Sequence, residues 1–170
     1  MPHIHKSGIV IGIDPDLEKS GIGIIRLESR TLEVDACPFP ALISKIREIY
    51  GQADKDGRFE VVVEAGWMNR GNWHVTESRN GKFSPQAWAA AVGTSQGECN
   101  AVSKLIIQTL EYEGIPVKAK RPLRKCWRGK DRKITHAELA KECEIYRINF
   151  KDKRSNQEER DAALLALVSM

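Results

Sequence analysis

Four carboxylates stand at positions where the sequence predicts chemistry rather than packing. Asp14 and Glu64 each end a β-branched apolar run, and Glu158 and Asp161 lie three residues apart on the last predicted helix. An acid at the end of a buried strand is costly to desolvate unless something binds it. Carboxylate oxygens are the ligands that Mg²⁺ and Mn²⁺ prefer. The spacing therefore predicts a divalent-metal site built from three separate elements.

The chemistry of such a site depends on whether the two strand ends are neighbours. If they are, two ions about 3.5–4 Å apart could stabilise an in-line displacement at phosphorus. Taken singly, each acid has a simpler interpretation. Asp14 could be a turn residue, Glu64 a salt-bridged strand end, and Glu158 and Asp161 ordinary acids in the first turn of a helix. The combination favours the metal site.

A basic stretch at residues 118–133 is the second candidate for function. It holds nine Lys or Arg and one acid, in a chain of 170 residues whose formal net charge is +4. Such a stretch could contact phosphates, or it could be a solvated loop. Its cations are Lys118, Lys120, Arg121, Arg124, Lys125, Arg128, Lys130, Arg132 and Lys133.

The elements that must position these residues alternate along the chain. Hydrophobic periodicity predicts strands at 8–14, 20–27, 31–36, 59–64 and 115–120, and helices at 40–50, 86–113 and 135–143, with a final helix capped by Ser155 or Asn156. A short polar turn makes the first two strands an antiparallel hairpin. The order predicts one α/β domain over residues 1–170, with a mixed five-stranded sheet flanked by helices.

Local signals sharpen three of these boundaries. Pro85 opens the long helix and Gly114 ends it, whereas Thr135 and Glu138 form a capping box. The first half of the long helix is rich in Ala and Gly, which allows close approach of another element. The polar segment 66–84 is long for a connection in a compact domain and is expected to be functional or disordered.

Composition excludes several classes of protein. The chain is 41% hydrophobic and 29% charged, as in ordinary globular proteins. It has no apolar run of membrane-spanning length and no signal-peptide pattern. The cysteines occur at neither disulfide-framework nor zinc spacing, so we expect free thiols and a cytoplasmic location. They are Cys37, Cys99, Cys126 and Cys143.

At this point the chain resembles a known family. Residues 12–15 (GIDP) with 20–23 (SGIG) resemble the first motif of RuvC-type Holliday junction resolvases, which belong to the ribonuclease-H-like, retroviral-integrase superfamily. Residues 63–64 resemble the second acidic strand of that family, and 158–164 (EERDAAL) its C-terminal helix. Residues 95–97, Pro116 and Lys133 fall in matching order. The resemblance implies a ribonuclease-H-like three-layer fold.

The resemblance also implies an activity. Family members are homodimeric endonucleases that use Mg²⁺, or Mn²⁺ in its place, to nick branched DNA, four-way junctions above all. By this likeness Asp14, Glu64, Glu158 and Asp161 are the catalytic residues and metal ligands. Trp67 matches an aromatic that meets DNA near the junction centre and could stack on an unpaired base, although it could instead pack over the sheet edge. The charge of the basic stretch, rather than the resemblance, assigns phosphate contact to its nine cations, which are Lys118, Lys120, Arg121, Arg124, Lys125, Arg128, Lys130, Arg132 and Lys133. By its match to the family, Lys133 lies nearest the scissile strand.

Three departures from the family pattern bear on the substrate. Asp16 stands where the family usually has Gly, and it could be an auxiliary ligand or a perturbation of the turn. Glu158 replaces the usual Asp and reaches one methylene further. The segment 66–84 is longer than usual. These departures leave junction preference less determined than nuclease chemistry.

Two other functions compete with this interpretation. One is a catalytically inactive nucleic-acid-binding protein of the same fold, which the intact acids argue against. The other is an actin-like ATPase or sugar kinase, which also opens with an acid and glycines in a hairpin. That branch needs a second duplicated domain, and the sequence contains no GxxxxGK[ST] loop.

Overall fold

The molecule is built on a central sheet with helices on both faces. The computed structural model describes residues 7–69 and 84–170. Its strands are β1 (Gly8–Asp14), β2 (Ser20–Arg26), β3 (Thr31–Cys37), β4 (Arg58–Glu64), β5 (Val117–Lys120) and β6 (Asn149–Phe150). Its α-helices are α1 (Phe39–Gln52), α2 (Pro85–Tyr112), α3 (His136–Ile145) and α4 (Gln157–Leu167).

The sheet has mixed strand directions, in the order β5-β4-β1-β2-β3-β6. The β1–β2 and β2–β3 pairs are antiparallel, which confirms the predicted hairpin. The β1–β4, β4–β5 and β3–β6 pairs are parallel. Over the described residues the sheet therefore has six strands rather than the predicted five. The sixth strand, β6, is only two residues long, too short to carry a period-2 pattern in the sequence.

Two apolar cores lie on opposite sides of the sheet. On one side, alternate side chains of β1 such as Ile11 and Ile13 pack with α1 and α2. On the other side, Val10 packs with residues of α3 and α4, including Leu139 and Leu167. This arrangement of helices, sheet and helices confirms the predicted three-layer α/β fold.

Glycines in the hairpin bring α4 directly onto the sheet. A Cβ at Gly12 would lie 2.2 Å from the carbonyl oxygen of Ala162, and one at Gly23 would lie 2.6 Å from the Cα of Ala163. Both obstacles are backbone atoms, which cannot rotate away. The glycines therefore fix the depth at which α4, with its acids, rests against the hairpin.

The predicted helix ends are confirmed. The Ser84 side chain accepts a hydrogen bond from the Ala87 amide ahead of Pro85, and Gly114 follows α2 with a positive φ of 70°. Thr135 and Glu138 form the predicted capping box. Asn156 caps α4 in a second box with Glu159.

Two further observations concern the cysteines and the apolar length of the helices. All four cysteines have free thiols, as predicted. Within the part of the chain that the structure describes, no helix is both long enough and apolar enough to cross a membrane.

Candidate active site

Asp14 and Glu64 leave the sheet side by side. Strands β1 and β4 are parallel, and Ile13 lies opposite Val63, so the next residue on each strand is an acid. Because side chains alternate along a strand, Asp14 shares the face of Gly12, which is the face covered by α4. The predicted juxtaposition of the two strand ends is therefore present.

Helix α4 brings a third carboxylate to the same place. Asp161 lines one cleft together with Asp14 and Glu64, and the cleft has a volume of about 980 Å³. The buried hydroxyl of Ser103 on α2 donates a 2.7 Å hydrogen bond to the carbonyl of Glu64, which secures the end of β4. Three elements thus meet where the sequence placed the acids.

Burial raises the pKa of all three carboxylates, and repulsion from neighbouring acids adds to the rise for Asp14 and Glu64. Burial raises the pKa of Asp14 well above its usual value, and the nearby charges of Glu64 and Asp161 raise it further. Burial, then repulsion from Asp161, raises the pKa of Glu64. The pKa of Asp161 is also raised by burial, although Lys133 and a hydrogen bond from Gln157 oppose the rise. A cluster of half-buried acids with raised pKa values is a feature of sites that bind cations or move protons.

Glu158 holds a position different from that of the other three. It is half-buried at the start of α4, and its charge contributes to the raised pKa of Asp14. The cleft lining, however, contains Asp161 and not Glu158. Its backbone carbonyl would meet a Cβ at Gly21 at 2.1 Å, so the close packing of α4 on the hairpin sets its position.

The donor set fits a hard divalent cation in its chemistry. Asp14, Glu64 and Asp161 offer only oxygen ligands, and their repulsion would be relieved by positive charge. Among residues 7–69 and 84–170, no three His, Cys, Asp or Glu side chains are close enough to hold one ion as they stand. The carboxylates therefore lie close enough to affect one another's pKa values, but they do not form a complete coordination shell.

Asp16 is accounted for by the turn between β1 and β2. Its Oδ1 accepts hydrogen bonds from the amides of Glu18 at 2.9 Å and Lys19 at 3.4 Å. The hydroxyl of Ser20 accepts from the Asp16 amide and donates to the Asp16 carbonyl. The turn role that the sequence left open for Asp14 thus belongs to Asp16.

Part of the basic stretch forms one wall of the cleft. The lining cations are Arg124, Lys125, Arg132 and Lys133. Lys133 approaches the acids most directly, with its Nζ 3.7 Å from Oδ2 of Asp161. Arg121, Arg128 and Lys130 are exposed, and none of the three lines the cleft.

The first two cations of the stretch have structural partners instead. Lys118 forms an ion pair with Glu60. Lys120 donates to the carbonyl of Val168 at 3.2 Å and to the hydroxyl of Ser169 at 2.9 Å. Neither lysine lines the cleft, and the predicted contact of these two cations with phosphates stays a prediction.

Trp67 lies on a 3₁₀ turn, Gly66–Met68, immediately after β4. Its surface is 36% exposed, and the Nζ of Lys104 stands 5.3 Å from the ring centroid. The ring is thus neither buried over the sheet edge nor free of contacts. Of the segment 66–84, residues 70–83 lie outside the described part of the chain.

The opposite wall of the cleft was not anticipated from the sequence. It is polar and uncharged, formed by Asn69 and one face of α2, on which Gln96, Cys99 and Asn100 follow helical spacing. The helical spacing of these polar residues is the signal in the sequence for this wall, whereas the family resemblance uses Ser95 and Gln96 only for their order along the chain. The cleft therefore has a basic wall, a neutral wall and an acidic floor.

The fold of the chain is α/β and ribonuclease-H-like. Its structure is similar to that described as "T. thermophilus RuvC in complex with Holliday junction substrate", with a TM-score of 0.50, 17% identity, and coverage of 94% of this chain and 90% of that one. A second structure, "Thermus thermophilus RuvC structure", gives a TM-score of 0.43 and 16% identity over 94% of this chain and 91% of that one. No family model and no curated protein sequence matches the chain. At this identity the likeness establishes a RuvC-like fold.

Proposed function

We propose that this chain, acting as a single nuclease domain over residues 1–170, is a divalent-metal-dependent endonuclease that nicks branched DNA, with four-way junctions as the foremost substrate. The observation that carries the proposal is the meeting of Asp14, Glu64 and Asp161 in one cleft beside a wall of cations. A nuclease needs both parts, because oxygen ligands hold the metal and cations hold the phosphate. The RuvC-like fold supports the same assignment.

Each residue then has a defined task. Asp14, Glu64 and Asp161 hold Mg²⁺ or Mn²⁺, with Glu158 as a fourth carboxylate at the rim. When bound, the metal would activate a water molecule and stabilise the leaving oxygen of a phosphodiester. Lys133 pairs with Asp161 in the free protein and is placed to turn to a phosphate when DNA enters.

The remaining proposed DNA contacts are of two kinds, namely phosphate contacts by cations and base stacking by a tryptophan. Arg124, Lys125 and Arg132 line the cleft and contact backbone phosphates near the cut. Arg121, Arg128 and Lys130 extend that surface outward. Trp67, which is 36% exposed, stacks on an unpaired base at the branch point. Since a four-way junction has two-fold symmetry, we assign the active form to a homodimer.

A catalytically inactive nucleic-acid-binding protein of the same fold is the alternative function. The raised pKa values of Asp14 and Glu64 weigh against it, because burying repelling acids costs stability that a pure binding protein has no reason to retain. The two functions differ in a direct observable, namely cleavage in the presence of metal.

The decisive experiment compares strand cleavage of labelled four-way, flap, duplex and single-stranded DNA, with Mg²⁺, Mn²⁺ or EDTA. We expect metal-dependent nicking of branched substrates. Asp14→Asn and Glu64→Gln should abolish nicking and retain DNA binding, since phosphate contacts remain. Binding without cleavage by the parent protein in either metal would establish the inactive alternative, and undiminished nicking by either variant would remove the proposed site.

A further inference from the structure

Arg160, in the first turn of α4, ties together three segments that surround the candidate site. Its Nε donates to the carbonyl of Ile134 at 2.9 Å, its Nη1 donates to the carbonyl of Ser155, and its Nη2 donates to Oε1 of Gln157 at 3.0 Å. The side chain is half-buried. A guanidinium is suited to such a junction because its donors radiate in a fixed plane.

Gln157, which is held by Arg160, in turn restrains the carboxylate of Asp161. Its Nε2 donates a 2.8 Å hydrogen bond to Oδ1 of Asp161, one helical turn further along α4. The amide can do this in one orientation only. A reversed amide would turn its NH₂ toward Arg160 and its oxygen toward the carboxylate, so Arg160 selects the orientation. We call this pair the Arg160–Gln157 clamp.

The contacts close into a ring across the basic wall. Ile134, whose carbonyl Arg160 holds, directly follows Lys133, and the Nζ of Lys133 lies 3.7 Å from Oδ2 of Asp161. Oδ1 of Asp161 is thus occupied by Gln157, and Oδ2 is the oxygen turned toward the cationic side. One guanidinium therefore restrains both the acid and the lysine beside it.

We propose that the Arg160–Gln157 clamp is a positioning device, which presents one chosen oxygen of Asp161 to a divalent cation and keeps Lys133 in place beside it. This inference rests on the metal-dependent function proposed above. It assigns roles to two residues that do not line the cleft. Hydrogen-bonded partners behind a metal ligand change affinity or activity by about 10- to 100-fold when removed.

The chain offers a matched control for Gln157. On the exposed end of α1, Gln52 makes the same kind of bond to Glu48, four residues away in the sequence, at 3.4 Å. Gln157→Met removes the amide-to-carboxylate hydrogen bond on α4, and Gln52→Met removes the equivalent bond on α1. Arg160→Lys is matched by Arg47→Lys, which alters a surface ion pair with Glu113.

The test measures Mn²⁺ affinity by electron paramagnetic resonance, with Asp161→Asn as the reference for a lost ligand. We expect Gln157→Met and Arg160→Lys to weaken Mn²⁺ binding by about 10- to 100-fold. Both control variants should match the parent. Gln157→Met should also lower kcat while leaving KM for four-way DNA within about twofold, a split that general loss of structure would not give. Thermal melting confirms that each variant is folded.

A second measurement does not depend on metal. In the NMR spectrum, the side-chain amide protons of Gln157 should exchange slowly, and Arg160→Lys should shift them. If those protons exchange like the ones of a solvent-exposed glutamine, the clamp does not exist. If Mn²⁺ binds the parent but Gln157→Met binds it equally well, the positioning role is wrong and the proposed function stands. A parent that binds no Mn²⁺ and cuts no DNA overturns both.

Discussion

The three half-buried carboxylates determine the character of the site at the scale of single residues. Asp14, Glu64 and Asp161 repel one another in a partly enclosed cleft, and Lys133 offsets only part of that repulsion. Such an arrangement costs folding stability and gains cation affinity. Two predictions belong to this scale.

Neutralising Asp14 should stabilise the protein at neutral pH in the absence of divalent cations. Because the pKa of Asp14 is raised in the folded state, its ionisation disfavours folding. This cost is absent below the unfolded-state pKa of about 3.9 and complete once the pH exceeds the folded-state pKa. Calorimetry of Asp14→Asn should show a gain on the order of 1 kcal/mol, about 2–4 °C in Tm, at pH 8 and none near pH 4. Asp56→Asn, in the exposed loop before β4, is the control. A lower Tm for Asp14→Asn at pH 8 would contradict the assignment.

Trp67 should contribute to binding only where bases are unpaired. Trp67→Ala should cost about 1–3 kcal/mol in affinity for four-way or flap DNA and leave duplex affinity and the salt dependence unchanged. Trp67→Phe retains a stacking ring and should recover most of the loss. Fluorescence anisotropy with metal replaced by EDTA measures all three proteins. An equal loss on duplex DNA would make Trp67 a packing residue, held by Lys104.

At the scale of elements, the site depends on how α4 rests against the hairpin and how the basic wall is fixed beside it. Helix α4 packs on β1 and β2, and its small residues Ala162 and Ala163 meet the strand glycines. The basic wall is anchored from behind, since Leu123 and Trp127 pack against the α3–α4 core. Apolar anchoring of a charged segment leaves its cations facing the cleft.

The close contact between α4 and the hairpin predicts that one added methyl group on a strand glycine greatly lowers the free energy of unfolding. Gly23→Ala would place a Cβ 2.6 Å from the Cα of Ala163, so the strand or the helix must shift. We expect a loss of about 3 kcal/mol in the free energy of unfolding, measured by urea denaturation. Gly51→Ala, near the end of α1, meets no atom within 4 Å and should be neutral or stabilising by up to about 1 kcal/mol. Equal effects of the two changes would show that α4 does not sit directly on the hairpin.

If the basic wall contacts phosphates, its cations should contribute to the salt dependence of DNA affinity. Arg132→Ala should weaken binding to all DNA sequences alike and reduce the slope of log K against log salt by about one unit, because one phosphate contact no longer releases counterions. The matched change Lys55→Ala removes an exposed cation from the loop before β4, at the far end of the sheet. It should leave the slope unchanged. Identical slopes for Arg132→Ala and the parent would exclude this wall as the phosphate surface.

At the scale of the whole molecule, the first half of α2 extends beyond the core. The buried residues of α2 begin at Val102, whereas the positions before it are exposed or half-buried, and Gly93 and Gly97 have open space where a Cβ would be. A mostly exposed, small-residue helix half suits close approach of a second chain. This supports the homodimer assigned above.

The dimer has a direct test. Light scattering at micromolar concentration should give twice the mass of one chain, and Gly93→Arg should give the mass of one, because a long charged side chain would enter the interface. Gly51→Arg, which also points into open space but lies on α1, should remain dimeric. A parent that is monomeric with and without DNA would contradict the assignment.

The sequence by itself determined the repetitive and local features. Period-2 and helical patterns predicted five strands and four helices. Pro85, Thr135 and the alternative caps Ser155 and Asn156 predicted helix starts to within a residue or two. The acids at Asp14 and Glu64 were predictable because each directly ends an apolar strand. These signals are local, so they can be recognised in the sequence without knowledge of the fold.

Only the tertiary structure decided the features that depend on contacts between distant residues. The pairing of β6 with β3 rests on two residues and has no pattern in the sequence. The division of the cations at 118–133 between those that line the cleft and those paired within the protein depends on Glu60 and the C-terminal residues, which meet β5 only in the folded chain. The clamp on Asp161 joins residues 134, 155 and 160, and the neutral wall joins Asn69 to α2. Hydrogen bonds and close packing are properties of assembled neighbours, and a linear sequence does not display which neighbours will meet.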